Sequence, residues 1–245
     1  MDIFVAGTGM TQFSRHLDKA VWQLADQAVG RALTDAGAVP SLIEEIYYGG
    51  ATQGSLQGQN AIPGQVVLAR LGMGSVPVYN VENACASGTS AFQLAVTAIK
   101  AGNCDSALAL GAEKMNIEDK ERALKMFDGG WDVSRADELT AKLMALGDAI
   151  PIPEGSESDR PYSKFMGIYA AMCRYWMHTF GTTQRQIAAV AAKNHIHSVH
   201  NELAQFRKPF TIEEVLASHP ITFPLTVAMC APLTDGAAAT VVCNE

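Results

Sequence analysis

Residues 80–92 read NVENACASGTSAF and set Cys85 between small residues, where an extended segment meets an apolar helical run. The segment before it, VPVYNVE (76–82), reads as a strand. After Cys85, Gln93 is the only strongly polar residue before Lys100, and Gly102 ends the run. A helix that is apolar on every side is expected to be central to a fold. The pattern therefore predicts a strand, a turn that carries Cys85, and a buried helix.

That position has two readings. Near a helix N-terminus, unpaired N–H groups and the positive end of the helix dipole favour a thiolate, and a strand-to-helix turn faces the sheet edge where open α/β proteins hold their sites. Alternatively, Cys85 fills space, as free cysteines often do. The residues alone leave both readings open. For the other cysteines we expect only packing; they are Cys104, Cys173, Cys230 and Cys243. An odd number of cysteines without a CxxC pair favours reduced thiols over disulfides or a zinc site.

Strand and helix patterns alternate along most of the chain and predict an α/β fold with a largely parallel sheet covered on both faces. The alternation fails between residues 114 and 165, which predicts an insertion over one sheet edge. Helical patterning returns at MGIYAAMCRYWMHTF (166–180) and TTQRQIAAVAAKNH (182–195), joined at Gly181, with Thr182 or Thr183 as N-cap. The apolar run in DGAAATVVCNE (235–245) predicts a last, buried strand.

Composition excludes several classes of function. The net charge of -7 argues against nucleic acid as the main partner. No window of 18 apolar residues and no leader-like start occurs in this sequence, so we expect a cytoplasmic protein that does not bind membranes.

Three further motifs are candidates for binding sites. His195, His197 and His200 lack further ligands for a metal site. The glycine-rich residues 49–59 lack the GK[ST] ending of a phosphate-binding loop. Residues 157–210 hold seven basic residues against three acidic ones, which suits an anionic ligand.

Several motifs resemble those of thiolases. NVENACASGTSA resembles the segment of the acylated cysteine, GAEKM (111–115) the strand that follows it, GGATQGSLQGQN (49–60) the glycine-rich loop and PLTDGAAATVV (232–242) a late signature strand. The resemblance covers the whole chain. It is closer to the sterol-carrier-type branch, the lipid-transfer-protein thiolases, and to archaeal-type acetyl-CoA acetyltransferases than to the classical degradative thiolases. It implies the N-terminal half of a thiolase, with a mixed, mostly parallel five-stranded sheet as its core (residues 1–115 and 221–245). Residues 116–220 would be an inserted loop subdomain that covers coenzyme A (CoA).

The resemblance implies a thiolase-type acyl-CoA C-acyltransferase, which cleaves 3-ketoacyl-CoA or condenses acyl-CoA through a covalent Cys-acyl intermediate. Cys85 would be the nucleophile and its N–H an oxyanion donor, with CoA or acyl-CoA as substrate, no covalently bound cofactor and a homodimer formed through the sheet edge. Met166 and Gly167 match a methionine-glycine pair that lines the pocket for the pantetheine end of CoA in classical thiolases. Phe165 stands where many thiolases carry histidine and Ala231 where many carry serine, which implies a more apolar acyl group and rearranged CoA contacts. The basic residues expected at CoA are Arg160, Lys164, Arg207 and Lys208.

Two family motifs do not occur in these 245 residues, the Gly-His-Pro turn of the base and the Cys-x-Gly of the second cysteine. SHP at Ser218–Pro220 precedes the late strand and is interpreted as a coincidence. We therefore expect either a fragment lacking the C-terminal thiolase domain or a subunit whose partner supplies it. The alternative hypothesis is a non-catalytic acyl-CoA-binding subunit, or a retro-aldolase component, partnered with an OB-fold zinc-ribbon protein.

Overall fold

The computed structural model describes residues 2–245, which form two compact units. The first comprises the chain up to Asp119 together with Leu233–Glu245, and the second comprises Lys120–Pro232. The first unit contains β1 (Phe4–Met10), α1 (Val21–Ala36), β2 (Glu45–Gly49), α2 (Gln53–Gln57), α3 (Pro63–Arg70), β3 (Val78–Val81), α4 (Ser87–Lys100), β4 (Ser106–Glu113) and β7 (Gly236–Cys243). The second contains α5 (Lys120–Lys125), α6 (Ala136–Met144), α7 (Lys164–Phe180), α8 (Gln184–Ser198), α9 (Ile212–Leu216), β5 (Pro220–Thr222) and β6 (Leu225–Thr226).

Within residues 2–245, the first unit is built on a five-stranded sheet of order β1-β7-β4-β2-β3. The strands β4, β2 and β3 are parallel, and β7 runs antiparallel to both of its neighbours, β1 and β4. Tyr47 in β2 pairs with Ala109 in β4 and with Tyr79 in β3, which fixes the register at the centre of the parallel part. The predicted α/β class with a mixed, mostly parallel sheet is confirmed.

The helices α1 and α3 cover one face of this sheet. Successive strand residues point to opposite faces, and the residues packed with α1 include Ile46, Leu108 and Leu110. Two glycines of β1 let α1 approach closely: a Cβ at Gly9 would lie 2.1 Å from the carbonyl oxygen of Ala28. Each fully buried leucine in this layer contributes about 1.5–3 kcal/mol.

The helix α4 covers the other face, and only half of it is buried. Ala91, Ala95 and Ile99 pack against Tyr47 and its neighbours in the sheet. The prediction of a buried helix that is central to the fold holds for one side of α4 only, because Gln93 and Leu94 lie on the outward face and Leu94 is 43% exposed. The sequence of α4 is apolar on both sides, but no described element packs against its outward face.

The second unit consists of helices and short irregular segments. The side chains of Phe127, Trp131, Phe165 and Tyr169 form an aromatic cluster, in which Phe165 stacks on Trp131 with ring centroids 4.9 Å apart. A smaller apolar cluster joins α8 to α9 through Ala188, Ala192 and Val215. Neither α5 and α6 nor the β5–β6 hairpin follows from the sequence pattern.

The ends of α7 and α8 agree with the sequence. Gly181 ends α7 in the left-handed conformation, with φ of 70°. Thr183 is the N-cap of α8 and forms a capping box with Gln186, as predicted for Thr182 or Thr183. Among the residues described, no helix combines the length and apolarity needed to cross a membrane.

Candidate active site

Cys85 lies in the turn between β3 and α4, at the edge of the sheet where the parallel strands end. It is exposed and belongs to a single 3-10 turn, Ala84–Ala86, that directly precedes α4. The neighbouring parallel strands β2 and β4 end at the same edge, at Gly49 and Glu113. The predicted turn before the helix is confirmed, and Cys85 is not a buried space-filling residue.

The backbone of this turn is strained and is held by hydrogen bonds. Ala84 has φ of 46°, a left-handed conformation that non-glycine residues rarely adopt. Its N–H donates to Glu82 Oε1 at 2.7 Å. Ser87, which is only 3% exposed, accepts the N–H of Asn83 at 2.8 Å and donates its hydroxyl to the Ala84 carbonyl at 2.8 Å. Strain that its surroundings maintain in this way is common at functional sites.

The first turn of α4 packs closely on the strand ends. A Cβ at Gly49 would lie 2.6 Å from the carbonyl oxygen of Ser87, so only glycine fits there. This contact presses the start of α4 onto β2. The helix N-terminus, whose unpaired N–H groups carry a partial positive charge, is thereby held beside Cys85.

The loop after β2 is anchored to the same edge. The Glu113 carboxylate accepts the N–H of Ala51 at 2.6 Å and the N–H and hydroxyl of Thr52. The hydroxyl of Tyr48 donates to Gln53 in α2, and burial followed by the nearby Glu113 charge raises the pKa of Tyr48. The glycine-rich loop is therefore partly helical and attached to the sheet.

A buried ion pair joins β7 to the segment after β4. The Nζ of Lys114 lies 2.6 Å from Asp235 Oδ2, and Asp235 is fully buried. The Asp235 carboxylate also accepts the N–H groups of His16, Met115 and Asn116, at 3.0, 2.7 and 2.7 Å, and the side-chain amide of Asn116 at 3.2 Å. Asp235 thus ties three separate segments of the first unit together.

The remaining cysteines lie in less accessible surroundings. Cys104 is buried, and burial together with Glu45 raises the pKa of its thiol to about 11. Burial also raises the pKa of Cys173 and of Cys230, both half-buried. Cys243 is half-buried near the end of β7. Cys85 differs from all four in being exposed.

The residues expected near pantetheine lie in the first turn of α7, in the second unit. Met166 is half-buried and Gly167 is buried. A Cβ at Gly167 would lie 3.3 Å from the sulfur of Met144 in α6. Phe165 belongs to the aromatic cluster. The first turn of α7 therefore packs against flexible and aromatic side chains of its own unit.

The four basic residues expected at CoA are all exposed, and the side chains of three of them make local contacts. Lys164 lies 3.8 Å from Asp128 at the start of α7. Arg207 donates to the carbonyl of Val199 at 3.5 Å, and Lys208 lies 5.2 Å from the ring centroid of Phe210. The fourth, Arg160, is exposed before α7. Their role in binding stays a prediction.

Two other basic residues of residues 157–210 are already paired. Arg174 is 5% exposed and donates to the carbonyls of Gly147 and Phe223, at 3.2 and 2.8 Å. Arg185 lies 2.6 Å from Glu213, which links α8 to α9. Counting charges in the sequence therefore overestimates the exposed positive surface, because an arginine can satisfy its donors with carbonyls inside a unit.

Histidines do not form a metal site in the described part of the chain. No group of three His, Cys, Asp or Glu side chains there could hold an ion. His195 instead pairs with the carbonyl of Ala228, at 3.0 Å from its Nε2. His219, in the SHP stretch, lies 3.6 Å from Asp159.

Sequence reasoning missed three residues that shape the site. Ser87 and Glu113 hold the turn and the loop, and Asp235 anchors β7. A signal existed for Asp235, since a charged residue adjoining the apolar run GAAATVV is expected to be paired once buried. For Ser87 and Glu113 the pattern offers no such signal, because small and charged residues are common at strand ends.

Comparison with known proteins places these features in a family. A family model described as "Thiolase, N-terminal domain" matches residues 3–219. "Sterol carrier protein 2" of Bos taurus is 31% identical over 252 residues, covering 99% of this chain and 41% of that protein. "Benzoylsuccinyl-CoA thiolase subunit BbsB" of Thauera aromatica is 31% identical over 246 residues, covering 99% of this chain and 55% of that protein. The solved "Ltp2-ChsH2(DUF35) aldolase" is similar with a TM-score of 0.69 and 25% identity, over 98% of this chain and 55% of that one.

The chain spans about half the length of these relatives, or less. The match is nevertheless continuous along the chain and includes the turn of Cys85, the glycine-rich loop and most of the second unit. The resemblance to sterol-carrier-type thiolases is confirmed. This chain belongs to the thiolase family and corresponds to its N-terminal domain.

Proposed function

We propose that this chain is a thiolase-type acyl-CoA C-acyltransferase in which Cys85 carries the acyl group. The observation that supports it most is the placement of Cys85: exposed, at the carboxyl edge of the parallel strands, in a strained turn directly before α4. A thiolate suits this chemistry because the enzyme thioester is close in energy to the thioester of the substrate.

In the proposed reaction the thiolate of Cys85 attacks either the thioester carbonyl of an acyl-CoA or the 3-keto carbonyl of a 3-ketoacyl-CoA. A sulfur–carbon bond forms, and the carbonyl oxygen becomes an oxyanion that accepts the Cys85 N–H. The intermediate formed at the thioester expels the CoA thiolate, and the intermediate formed at the 3-keto group expels the carbanion of a shorter acyl-CoA. Either leaving group takes up a proton. Transfer of the acyl group to the sulfur of CoA, or to the α-carbon of a second acyl-CoA, releases the Cys85 thiolate, and the proton lost from that sulfur or carbon goes to the general base. A single oxyanion donor contributes about 3 kcal/mol to such a step.

The general base and the proton shuttle lie outside these residues in our proposal. Gly-His-Pro and Cys-x-Gly, which the family uses, do not occur in the sequence. We propose that a C-terminal thiolase domain, on the same polypeptide or on a partner subunit, supplies both. Cys85 alone then becomes acylated slowly, and turnover requires that second domain.

Substrate contacts are proposed for the second unit. Residues 116–220 would cover CoA, with Met166 and Gly167 near pantetheine. The phosphates would be bound by the exposed basic residues Arg160, Lys164, Arg207 and Lys208. Phe165, which stands where many thiolases carry histidine, favours an apolar acyl group, since its ring has no hydrogen-bond donor for a polar one.

Intact-mass spectrometry tests this proposal. The chain is incubated with acetyl-CoA, octanoyl-CoA and benzoyl-CoA, and its mass is measured alongside that of Cys85→Ser. We expect one acyl adduct on the unaltered chain and none on the variant. Cys230→Ser is the matched control and keeps the adduct. An adduct that persists in Cys85→Ser refutes the assignment.

A second candidate function is a non-catalytic acyl-CoA-binding subunit, or a retro-aldolase component, that joins an OB-fold zinc-ribbon protein. It is favoured by the similarity to a protein described as a thiolase subunit and to a solved aldolase that pairs Ltp2 with a DUF35 protein. Calorimetry with CoA, combined with the mass measurement above, separates the two functions. CoA binding in calorimetry without an acyl adduct in the mass supports the subunit, and an adduct that is lost in Cys85→Ser supports the enzyme.

We further propose a cytoplasmic homodimer, without nucleic-acid or membrane partners. β3 is one of the two edge strands of the sheet and carries Tyr79, which is half exposed, so a second copy can pair with it. Sedimentation of Tyr79→Glu tests this: the variant is expected to be monomeric at concentrations where the unaltered chain is dimeric, and an unchanged dimer contradicts it.

A further inference from the structure

We propose that Ser87 is a positioning residue that aims the Cys85 N–H toward the reacting carbonyl. The inference rests on the proposed function, in which that N–H stabilises an oxyanion. It assigns a task to a side chain that does not itself touch the substrate.

The hydroxyl of Ser87 connects two backbone groups of the turn. It accepts the N–H of Asn83 and donates to the carbonyl of Ala84, both at 2.8 Å. The N–H of Ser87 donates to the same Ala84 carbonyl. Ser87 is 3% exposed, so water does not compete for these bonds. Two donors from one residue therefore hold the Ala84 carbonyl on the inner side of the turn.

The direction of the Cys85 N–H follows from the planarity of the peptide bond. The Ala84 carbonyl and the Cys85 N–H belong to one trans peptide unit, in which the two bonds point in opposite directions. Because the carbonyl points at buried Ser87, the N–H points away from it. Cys85 is exposed, and in this proposal its sulfur and its N–H act on the same carbonyl group.

The backbone of Ala84 is strained where this peptide unit begins. Its φ of 46° is unfavourable for a residue with a Cβ. Rotation of the Ala84–Cys85 peptide unit, which changes ψ of Ala84 and φ of Cys85, would turn the N–H away from the exposed face. The Ser87 hydroxyl opposes that rotation, because the rotation breaks its bond to the carbonyl.

The experiment compares two reactions of Cys85 that differ in their need for an oxyanion donor. 4-Nitrophenyl acetate acylates the thiol through an oxyanion: a sulfur–carbon bond forms, and 4-nitrophenolate leaves. Iodoacetamide alkylates the same thiol by displacement of iodide, with no oxyanion. Both probes act without CoA binding, so the result does not depend on whether acyl-CoA is a substrate.

Both rates are measured on the unaltered chain and on Ser87→Ala, Ser87→Thr and Thr97→Ala. Thr97→Ala removes a hydroxyl that donates to a helix carbonyl, Gln93 O at 2.8 Å, further along α4. We expect Ser87→Ala to lower the acylation rate tenfold or more and to change the alkylation rate less than twofold. Ser87→Thr keeps the hydroxyl and is expected to restore acylation, while Thr97→Ala changes neither rate.

Three results overturn the inference. Equal losses of both rates in Ser87→Ala mean that the residue acts only on the structure or access of the turn. An unchanged acylation rate in Ser87→Ala means that the Cys85 N–H needs no support from Ser87. If the unaltered chain is acylated no faster than a free thiol, the Cys85 N–H does not act as an oxyanion donor. The failure of the proposed function is seen separately, as the absence of an acyl-CoA adduct.

Discussion

Replacing Asp235 by asparagine removes the charge at the most connected side chain of the first unit. The carboxylate accepts five hydrogen bonds, from Lys114, His16, Met115 and twice from Asn116. Lys114 and His16 lie at Oδ2 and the other donors at Oδ1. In either orientation the NH₂ of asparagine therefore faces at least two donors.

The expected loss of stability follows from the burial of the ion pair. Asp235 is fully buried and the Lys114 side chain is 10% exposed, so the variant leaves an uncompensated charge inside the unit. Breaking such a pair costs about 3–5 kcal/mol of unfolding free energy. For a chain of this size each kcal/mol corresponds to about 2–4 °C, so the melting temperature falls by roughly 6–20 °C.

Calorimetry and urea unfolding measure this loss of stability. Two further variants serve as controls. Glu138→Gln removes an exposed ion pair with Arg135 and is expected to leave stability unchanged. Lys114→Met combined with Asp235→Asn removes the stranded charge and is expected to be more stable than the sum of the single losses. A loss below about 1 kcal/mol in Asp235→Asn would refute the anchoring role.

The pH dependence of the same variant has a definite sign. Burial raises the pKa of Asp235, while hydrogen bonds from Lys114 and Asn116 lower it by more, so the net shift is downward. The unfolded chain has the ordinary aspartate pKa of about 3.9. The stabilisation is therefore fully present above that pH and is lost as the pH falls through the lower pKa of the folded state. The stability difference between the unaltered chain and Asp235→Asn should be constant between pH 5 and 8 and shrink below about pH 4.

Three further outcomes are expected. Iodoacetamide should label Cys85 well before Cys104, whose thiol is buried and has a pKa raised to about 11, and peptide mapping over time would expose the opposite order. Gly9→Ala should prevent stable folding because its Cβ would meet the Ala28 carbonyl at 2.1 Å, whereas Gly30→Ala, with open space and a helical position, should raise stability by about 0.5–1 kcal/mol in urea unfolding. Thr183→Ala should cost about 1 kcal/mol in the same measurement by removing the N-cap of α8, and an unchanged midpoint would contradict the cap.

The strands and long helices could be predicted because each repeats a periodic pattern over many residues. VPVYNVE, DSALALGAE and the last apolar run all form strands of the sheet. The short α5 and α6 could not, because helices of so few residues depend on contacts with neighbouring segments. The exposed face of α4 shows the same limit: an apolar sequence indicates burial but does not say which element covers each side.

Only part of the candidate site could be predicted from the sequence. Cys85 could be located because small residues follow a strand and precede a helical run, all within a few positions. The pairing of Lys114 with Asp235 joins residues 121 positions apart, and only the register of β4 with β7 brings them together. The left-handed Ala84 and the inward hydroxyl of Ser87 are equally hidden, since both depend on how α4 packs against Gly49.

Locating the acyl group by peptide fragmentation after incubation with acyl-CoA is the most direct test of the account. Fragment masses are expected to place the acyl group on Cys85 and to leave the other four cysteines unmodified. An acyl group on any other residue, or CoA bound with no acyl group on the protein, would contradict covalent catalysis at the start of α4.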